Sequence, residues 1–372
     1  MAIKFTVCIF FIIAISFGWC SAFHIDNLYS GKLGVSIGEK ITQARHFFSP
    51  VKRVFDATQE VVTEPRALLT IIKDTLRYFD TYRATAGLYP TNGWLSCDTV
   101  KKTLEFVAAT IEKDLQSGNF RILNPQFIQE NFKALKWAAD SNQASKNNSN
   151  FPTDGRIRLT NYAVFCVEGS SIKTIKCPYA LYQLRDAALQ KRYTKQQVLA
   201  GMLEPAVRYG KAKPLVWLSR DGIEDALMQG TIAVRMPNGN VDVFGLDCDN
   251  GIAYDKGVKN PRDQQRYWFY RRIACSGAPA HQAAKQIAQR AQVVFAGDIQ
   301  NLGVGKLIAL KYPDPISGKT SLRLGILADT GSAFSNNLYQ LDLFAGLFTS
   351  RQHFSQYMKT SPQFADAFIL YR

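Results

Sequence analysis

The chain has 372 residues, 47% of them hydrophobic, with 45 Lys and Arg against 30 Asp and Glu, for a net charge of +15. That apolar content supplies one large or two ordinary cores, and the charge suits an anionic polymer as partner. The cations are dispersed and no nucleic-acid reader motif accompanies them, so no nucleic-acid partner is expected.

Met1-Ala2-Ile3-Lys4 and the apolar run 7–19 read as the charged and hydrophobic parts of an export signal. Cys20-Ser21-Ala22 then offers small residues for cleavage after Ala22. The run is short for a bilayer span, and no later segment is a spanning candidate. Bulky Trp19 disfavours a lipid anchor at Cys20. The expectation is a soluble protein of the periplasm or the secreted medium. A bacterial cell wall, rich in carboxylates, is the partner that fits export and charge together. Five cysteines remain after cleavage, Cys97, Cys166, Cys177, Cys248 and Cys275, so at least one thiol stays unpaired. Cys166 and Cys177 lie on two short strand-like runs and could face each other. Their spacing is not that of a zinc site and the four histidines are scattered, so neither metal nor cofactor is expected.

Along the chain, Thr63-Glu64-Pro65 opens a helical period through Leu68, Leu69, Ile72, Leu76 and Phe79, with proline where its missing N–H is harmless. A second helix follows Asp98, and a third starts at Pro125 with Asn124 as cap. The polar stretch 140–150 reads as a linker. Strands are then expected over 157–167 and 172–182, and Thr194-Lys195-Gln196-Gln197 is a capping-box start for a short helix through Leu203. Strands at 214–218, 231–236 and 241–246 follow, the last two joined by the hairpin turn Pro237-Asn238-Gly239-Asn240. A helix near 281–292 and strands at 293–296, 306–312 and 322–327 come next. The tail from Ser350 reads as short amphipathic helices.

The chemistry-bearing stretch is Leu327-Ala328-Asp329-Thr330-Gly331-Ser332, followed by Leu341-Asp342-Leu343-Phe344. A carboxyl held among apolar residues loses hydration, keeps its proton longer and can serve as an acid near neutral pH. One reading is the Asp-Thr-Gly of an aspartic protease, which needs a second such copy or a dimer; this chain has one copy. The other is a carboxylate cleft acting on sugar. Alternation over 338–344 puts Gln340, Asp342 and Phe344 on one strand face.

These residues resemble the membrane-bound lytic murein transglycosylase A family, whose carboxyl-terminal part is the three-aspartate 3D domain. Ala296-Gly297-Asp298 with Leu302-Gly303, Ala328-Asp329-Thr330-Gly331 and Leu341-Asp342-Leu343-Phe344-Ala345-Gly346 look like the three aspartate segments, over about 293–346. Upstream, Leu159-Thr160-Asn161-Tyr162, Tyr179-Ala180-Leu181-Tyr182, Asp225 through Thr231, Asn250-Gly251-Ile252-Ala253-Tyr254 and Asn260-Pro261 continue the family order. The departures fall on groove positions. The family's Gly-Tyr-Tyr-Glu-Pro is Asn161-Tyr162-Ala163-Val164-Phe165 here, and its Gln-Gly-Ser-Gly is Gln229-Gly230-Thr231-Ile232.

The resemblance implies a mainly β protein with a helical amino-terminal part: a double-psi β-barrel (23–154 with 258–372) carrying a smaller inserted β domain (155–257). It implies non-hydrolytic cleavage of MurNAc-GlcNAc β-1,4 bonds in peptidoglycan glycan strands. Asp342 would be the acid and then the base, with Asp329 and Asp298 supporting it. Thr160, Tyr162, Gln229, Thr231, Tyr254 and Gln340 would bind sugar. A monomer is implied, with outer-membrane or wall-synthesis proteins as further partners. The rival from another class is a wall-binding relative that keeps the groove without turnover.

Overall fold

The computed structural model describes residues 44–82, 95–147, 151–255, 257–273, 278–334 and 336–372. The expected export signal, with Cys20, and Cys275 lie outside these residues. Among the described residues no helix is long and apolar enough to cross a membrane.

The helical amino-terminal part forms as its local signals dictate. Helix α1 (Pro65–Tyr82) starts on proline, and the Glu64 carboxylate accepts the backbone N–H groups of Arg66, at 3.1 Å, and Ala67. Its Leu68, Ile71, Ile72 and Phe79 are buried, and the helix packs on α2 (Cys97–Asp114). The α2 cap is Ser96, which accepts the Thr99 N–H at 3.1 Å; Asp98 sits inside the first turn, where its charge suits the helix dipole. Asn124 caps α3 (Pro125–Asn131) by accepting the Gln126 N–H at 2.9 Å. The stretch expected as a linker is helical over α4 (Ser141–Asn147). Asp140 accepts the Gln143 N–H at 3.0 Å and Ala144 is fully buried, so a cap and one packed residue suffice in tertiary context.

The strands in chain order are β1 (Phe48–Val51), β2 (Glu60–Val61), β3 (Lys133–Trp137), β4 (Ile157–Ser170), β5 (Tyr179–Leu184), β6 (Ala212–Leu218), β7 (Thr231–Arg235) and β8 (Asn240–Asp249). They continue with β9 (Trp268–Arg272), β10 (Ala278–Pro279), β11 (Val294–Ala296), β12 (Leu307–Pro313), β13 (Thr320–Asp329), β14 (Gln340–Phe348) and β15 (Phe364–Tyr371). Between them lie α5 (Lys195–Leu199), α6 (Glu204–Arg208), α7 (Arg220–Gln229), α8 (Ala280–Ala288), α9 (Ile299–Leu302) and α10 (Arg351–Lys359). The capping box at Thr194 is present, with both reciprocal bonds to Gln197.

Three expectations give way here. Residues 172–178 form a turn, with the Cys177 N–H donating to Thr174 Oγ1 at 3.0 Å, and the strand begins only at Tyr179. Cys177 is therefore off the strand, and it and Cys166 are unbridged thiols. The tail is helical in α10 but ends in strand β15, whose Ala365, Ala367, Phe368, Ile369 and Leu370 are buried. It lies between β3 and β12, inside the sheet, so its backbone groups are paired along both edges.

The strands join one mainly antiparallel sheet in the order β1-β3-β15-β12-β13-β11-β14-β4-β7-β8-β10. The start of β4 also pairs with β15, closing a circuit through β12, β13, β11 and β14. Strand β4 is 14 residues long and serves both halves of the protein. Its first part pairs with β14, and its last part with β7 and β6. The buried side chains form two clusters, one around α1, α2 and β11–β15, the other around β5, β6, α7 and β9. The chemistry sits where β4 passes from one to the other.

Candidate active site

Strand register brings the aspartates together. Ala296 of β11 faces Asp329 of β13 on one side and Asp342 of β14 on the other. The two aspartates are therefore two strand spacings, about 10 Å of backbone, apart. Gly297 follows Ala296 because a Cβ there would come within 2.8 Å of Leu341 and 3.0 Å of Leu327. Its N–H donates to the Asp329 carbonyl at 3.1 Å, and its carbonyl accepts the Thr330 hydroxyl at 2.9 Å.

Asp342 is half-buried. Gln340 Nε2 donates to its Oδ1 at 3.2 Å and to Thr160 Oγ1 at 2.7 Å, and Thr160 is the register partner of Asp342 on β4. Lost hydration is the largest influence on the carboxyl and pushes its pKa up to about 6. The Gln340 N–H works against that shift, the Asp329 charge adds to it, and the more weakly felt Arg158 opposes it. The result is a carboxyl able to give up and take back a proton near neutrality.

Asp329 is held differently. Its Oδ2 accepts the Tyr162 hydroxyl at 2.8 Å and its Oδ1 accepts the Thr330 N–H at 2.8 Å. The Tyr162 ring packs on Phe344 at 5.3 Å between centroids. Burial, then the charges of Asp329 and Asp342, hold the Tyr162 phenol well above its usual range, so it remains a donor. Asp298 is 1% exposed and lines neither chamber described below. It caps α9, accepting the Asn301 N–H at 3.1 Å, the Asn301 side-chain amide at 2.7 Å and the Asn337 N–H at 2.9 Å. Burial raises its pKa, and those hydrogen bonds oppose the rise.

A chamber of about 160 Å³ opens on Asp342 and Asp329, walled by Tyr162, Gln229, Thr231, Arg266, Trp268 and Phe334 among others. Helix α7 delivers Gln229. Ser219 caps its start by accepting the Gly222 N–H at 3.1 Å. Gly230 ends it at φ 77, where a Cβ would meet Leu246 at 2.9 Å. Gln229 uses its oxygen on the Ala163 N–H at 3.1 Å and keeps its Nε2 for the chamber it lines. Because Ala163 is 1% exposed, Gln229→Ala is expected to lower the unfolding free energy in urea by about 1–3 kcal/mol, the cost of an orphaned buried N–H. An unchanged urea midpoint would mean that the Ala163 N–H finds another acceptor.

Of the residues singled out from sequence, Asp342, Asp329, Tyr162, Gln229 and Thr231 line this chamber, while Thr160 and Gln340 stand behind Asp342. Tyr254 does not line it. It is 49% exposed and borders a second chamber of about 240 Å³ with Lys195, Glu224 and Gln264. The two chambers share Leu227, Met228 and Arg266. Arg266 and Phe334 escaped the sequence reading, and Trp268, part of the aromatic run that follows Asn260-Pro261 in the family order, was not assigned to the site. A cation placed directly before the aromatic run 267–270 was the available signal for the first.

No protein-family model matches the sequence, and a search of curated proteins finds no match. Solved structures do match. A membrane-bound lytic murein transglycosylase from Agrobacterium tumefaciens superposes with TM-score 0.58 at 16% identity, covering 87% of this chain and 97% of that one. E. coli MltA with bound chitohexaose gives 0.54 at 13%, covering 90% and 96%. MltA from Neisseria gonorrhoeae gives 0.54 at 14%, covering 87% and 91%. The chain is MltA-like in fold, as the ordered motifs led one to expect.

Proposed function

We propose that the protein is an exported lytic transglycosylase that cleaves MurNAc-GlcNAc β-1,4 bonds in peptidoglycan and releases 1,6-anhydro-muropeptides. The observation that carries this reading is Asp342: a carboxyl with pKa about 6, oriented by Gln340, on the wall of a chamber also lined by Tyr162, Gln229 and Thr231. Protonated Asp342 donates to the glycosidic oxygen as the C1–O bond breaks. Its carboxylate then takes the proton from the C6 hydroxyl of the muramyl sugar, whose oxygen attacks C1 and closes the anhydro ring. The acid form is regenerated and no water enters. The intramolecular hydroxyl supplies the effective-concentration advantage of a held reactant.

In this reading Asp329, held by Tyr162 and the Thr330 N–H, supports Asp342 from the opposite side of β11, and Asp298 holds the turn that positions them. Thr160 and Gln340 orient Asp342, while Gln229 and Thr231 face the sugar. The division into a 155–257 insert and a double-psi barrel belongs to the same proposal, supported by the parallel pairs β11–β13 and β14–β4. So do the monomeric state, the periplasmic or secreted location and contacts with wall-synthesis proteins. The Asp-Thr-Gly-Ser sequence serves a turn here rather than a protease dyad. A dyad needs two carboxyls sharing one proton, whereas Asp329 is bonded to Tyr162 and Thr330 and Asp342 to Gln340.

Digestion of purified sacculi, with products weighed by mass spectrometry, tests the reading. Anhydro-muropeptides support it, and hydrated reducing ends or no products at all contradict it, the latter favouring a wall-binding relative without turnover. The pH dependence follows from the same carboxyl. The active acid is the protonated form, so kcat/KM is expected to fall as pH rises through about 6. A profile that climbs through that range would remove Asp342 from the role of acid.

A further inference from the structure

The face of the sheet that carries Asp342 continues beyond the reaction chamber. Along β4, Ile157 and Leu159 are buried in the larger core, so alternation puts Arg158, Thr160 and Tyr162 on the opposite face. Along β14, Leu341 and Leu343 take the core side, which leaves Gln340 and Asp342 on that same outer face. Register then sets rows across the two strands: Arg158 beside Gln340, Thr160 beside Asp342 and Tyr162 beside Phe344. Side-chain contacts bear the rows out, since Gln340 reaches Thr160 at 2.7 Å and the Tyr162 ring packs on Phe344. Phe364 of β15 extends the Arg158 row on its other side. Arg158 therefore stands two residues, about 7 Å of strand, from the row of Asp342.

Arg158 has a charge to offer. Its backbone N–H is committed to the Tyr339 carbonyl at 2.8 Å, but among the described residues its guanidinium forms no ion pair, hydrogen bond or ring contact. The neighbouring cations are answered. Arg156 bonds Asp154 at 2.7 Å and lies over the Phe364 ring, and Lys136 meets Asp366 at 3.0 Å. Gln340, in the same row as Arg158, spends its amide on Thr160 and Asp342. Arg158 is half-buried and does not line the chamber of Asp342 and Asp329, yet its charge is felt at Asp342. A guanidinium fork without a protein partner, beside the reacting row, fits a ligand carboxylate with two parallel hydrogen bonds.

In the proposed reaction the muramyl sugar brings its C1 and its C6 hydroxyl to Asp342. The same sugar carries a lactyl ether at C3, which ends in a carboxylate or continues through an amide into a stem peptide that carries carboxylates. An anion on this arm lies a sugar ring and a short arm away from the acid, and Arg158 stands at such a separation along the face. We propose that Arg158 reads the carboxylate of this arm and so selects muramyl strands over plain N-acetylglucosamine polymers. The inference rests on the transglycosylase reading of Asp342 and adds a specificity residue to it.

Binding by the full chain tests this, in an Asp342→Asn background that blocks turnover and removes the Asp342 charge. Three probes are compared: chitohexaose, which has no lactyl arm; amidase-stripped glycan strands, which keep the lactyl carboxylate; and strands with intact stems. The readout is the ratio of affinities, carboxylate-bearing probe over chitohexaose. Arg158→Gln should lower that ratio by about tenfold or more for at least one carboxylate-bearing probe, as expected when a charge-assisted hydrogen bond is lost. Arg158→Lys should recover part of the fall, because the charge remains while the planar fork is gone. A fall confined to stem-bearing strands places the contact on the peptide, and a fall shared with stripped strands places it on the lactate. An unchanged ratio overturns the proposal, whether Arg158→Gln weakens all three probes equally or none of them. The urea midpoint of each variant should stay at that of the parent, since the guanidinium holds no other described residue. If Arg158→Gln unfolds early, the ratio is read from Arg158→Lys, and a ratio unchanged there sinks the proposal. Anhydro-product release by the unsubstituted chain is scored separately. A lowered ratio without release refutes the Asp342 chemistry alone, and release with an unchanged ratio refutes the carboxylate reader alone.

Discussion

Asp342→Asn is expected to abolish release of anhydro-muropeptides, with the rate falling by at least about 10²–10⁴, the usual worth of a positioned acid–base group. The amide is isosteric and keeps an oxygen for the Gln340 Nε2, so the strand and the chamber wall should survive. Stability should move the other way from activity. The folded carboxyl has pKa about 6 against 3.8 for an unperturbed aspartate, because burial disfavours its charge. The folded state thus binds the proton more tightly, and this contribution is complete below pH of about 4 and is lost as pH rises through about 6. Asparagine cannot ionise. The Tm of the variant relative to the unsubstituted protein should therefore be higher at pH 8 than at pH 4, in scanning calorimetry at both values. Retained turnover would show that another group is the acid. A Tm difference that shrinks at high pH would show that Asp342 is not desolvated.

What could be read from sequence is what local chemistry decides. Pro65 starts α1, Thr194 and Gln197 form their capping box, and Gly239 turns the β7–β8 hairpin at φ 80 because each device acts within a few residues. Alternation likewise put Gln340 and Asp342 on one strand face, and they meet at 3.2 Å. Pairings between distant segments were not legible. The Tyr162–Asp329 hydrogen bond joins residues 167 positions apart and depends on β4 lying beside β14 in one register. Strand β15 was misread for the same reason. Its first half, Phe364-Ala365-Asp366-Ala367, carries no strong local preference; Phe368-Ile369-Leu370-Tyr371 favours a strand but is too short to declare one, and pairing with β3 and β12 on either side decides the state. Arg266 was missed because its one sequence signal, the adjoining aromatic run, is weak, and the Tyr254 ring reaches it only through the fold.

The aspartate that never reaches the cleft should matter most for folding. Asp298→Ala takes the carboxylate away from two donors, the Asn301 side-chain amide and the Asn337 N–H, while the Asn301 N–H keeps the backbone carbonyl of residue 298 at 3.2 Å. Asp298 is 1% exposed, and Asn301 and Asn337 are each 2% exposed, so water cannot easily take the place of the carboxylate. At about 1–3 kcal/mol per orphaned buried group, and with neighbours adding less than fully, the loss should be about 2–4 kcal/mol in urea unfolding. Asp298→Asn should lose less, since one oxygen remains, but its amide would point a donor at donors. The damage should spread to activity through the chain rather than through contact. Asn337 precedes Leu338, whose carbonyl accepts Trp137 Nε1 at 3.0 Å and the Asp140 N–H at 3.1 Å, and β14 begins two residues later. Loosening Asn337 therefore slackens the entry to the strand that carries Asp342. Well below its Tm, Asp298→Ala should show reduced kcat with KM nearly unchanged, because the chamber wall from α7 and β7 is untouched. An unaltered urea midpoint would show that water or a shifted side chain satisfies these donors. A lost activity at full stability would instead bring Asp298 into the chemistry, from a position where its three bonds leave it little freedom to act.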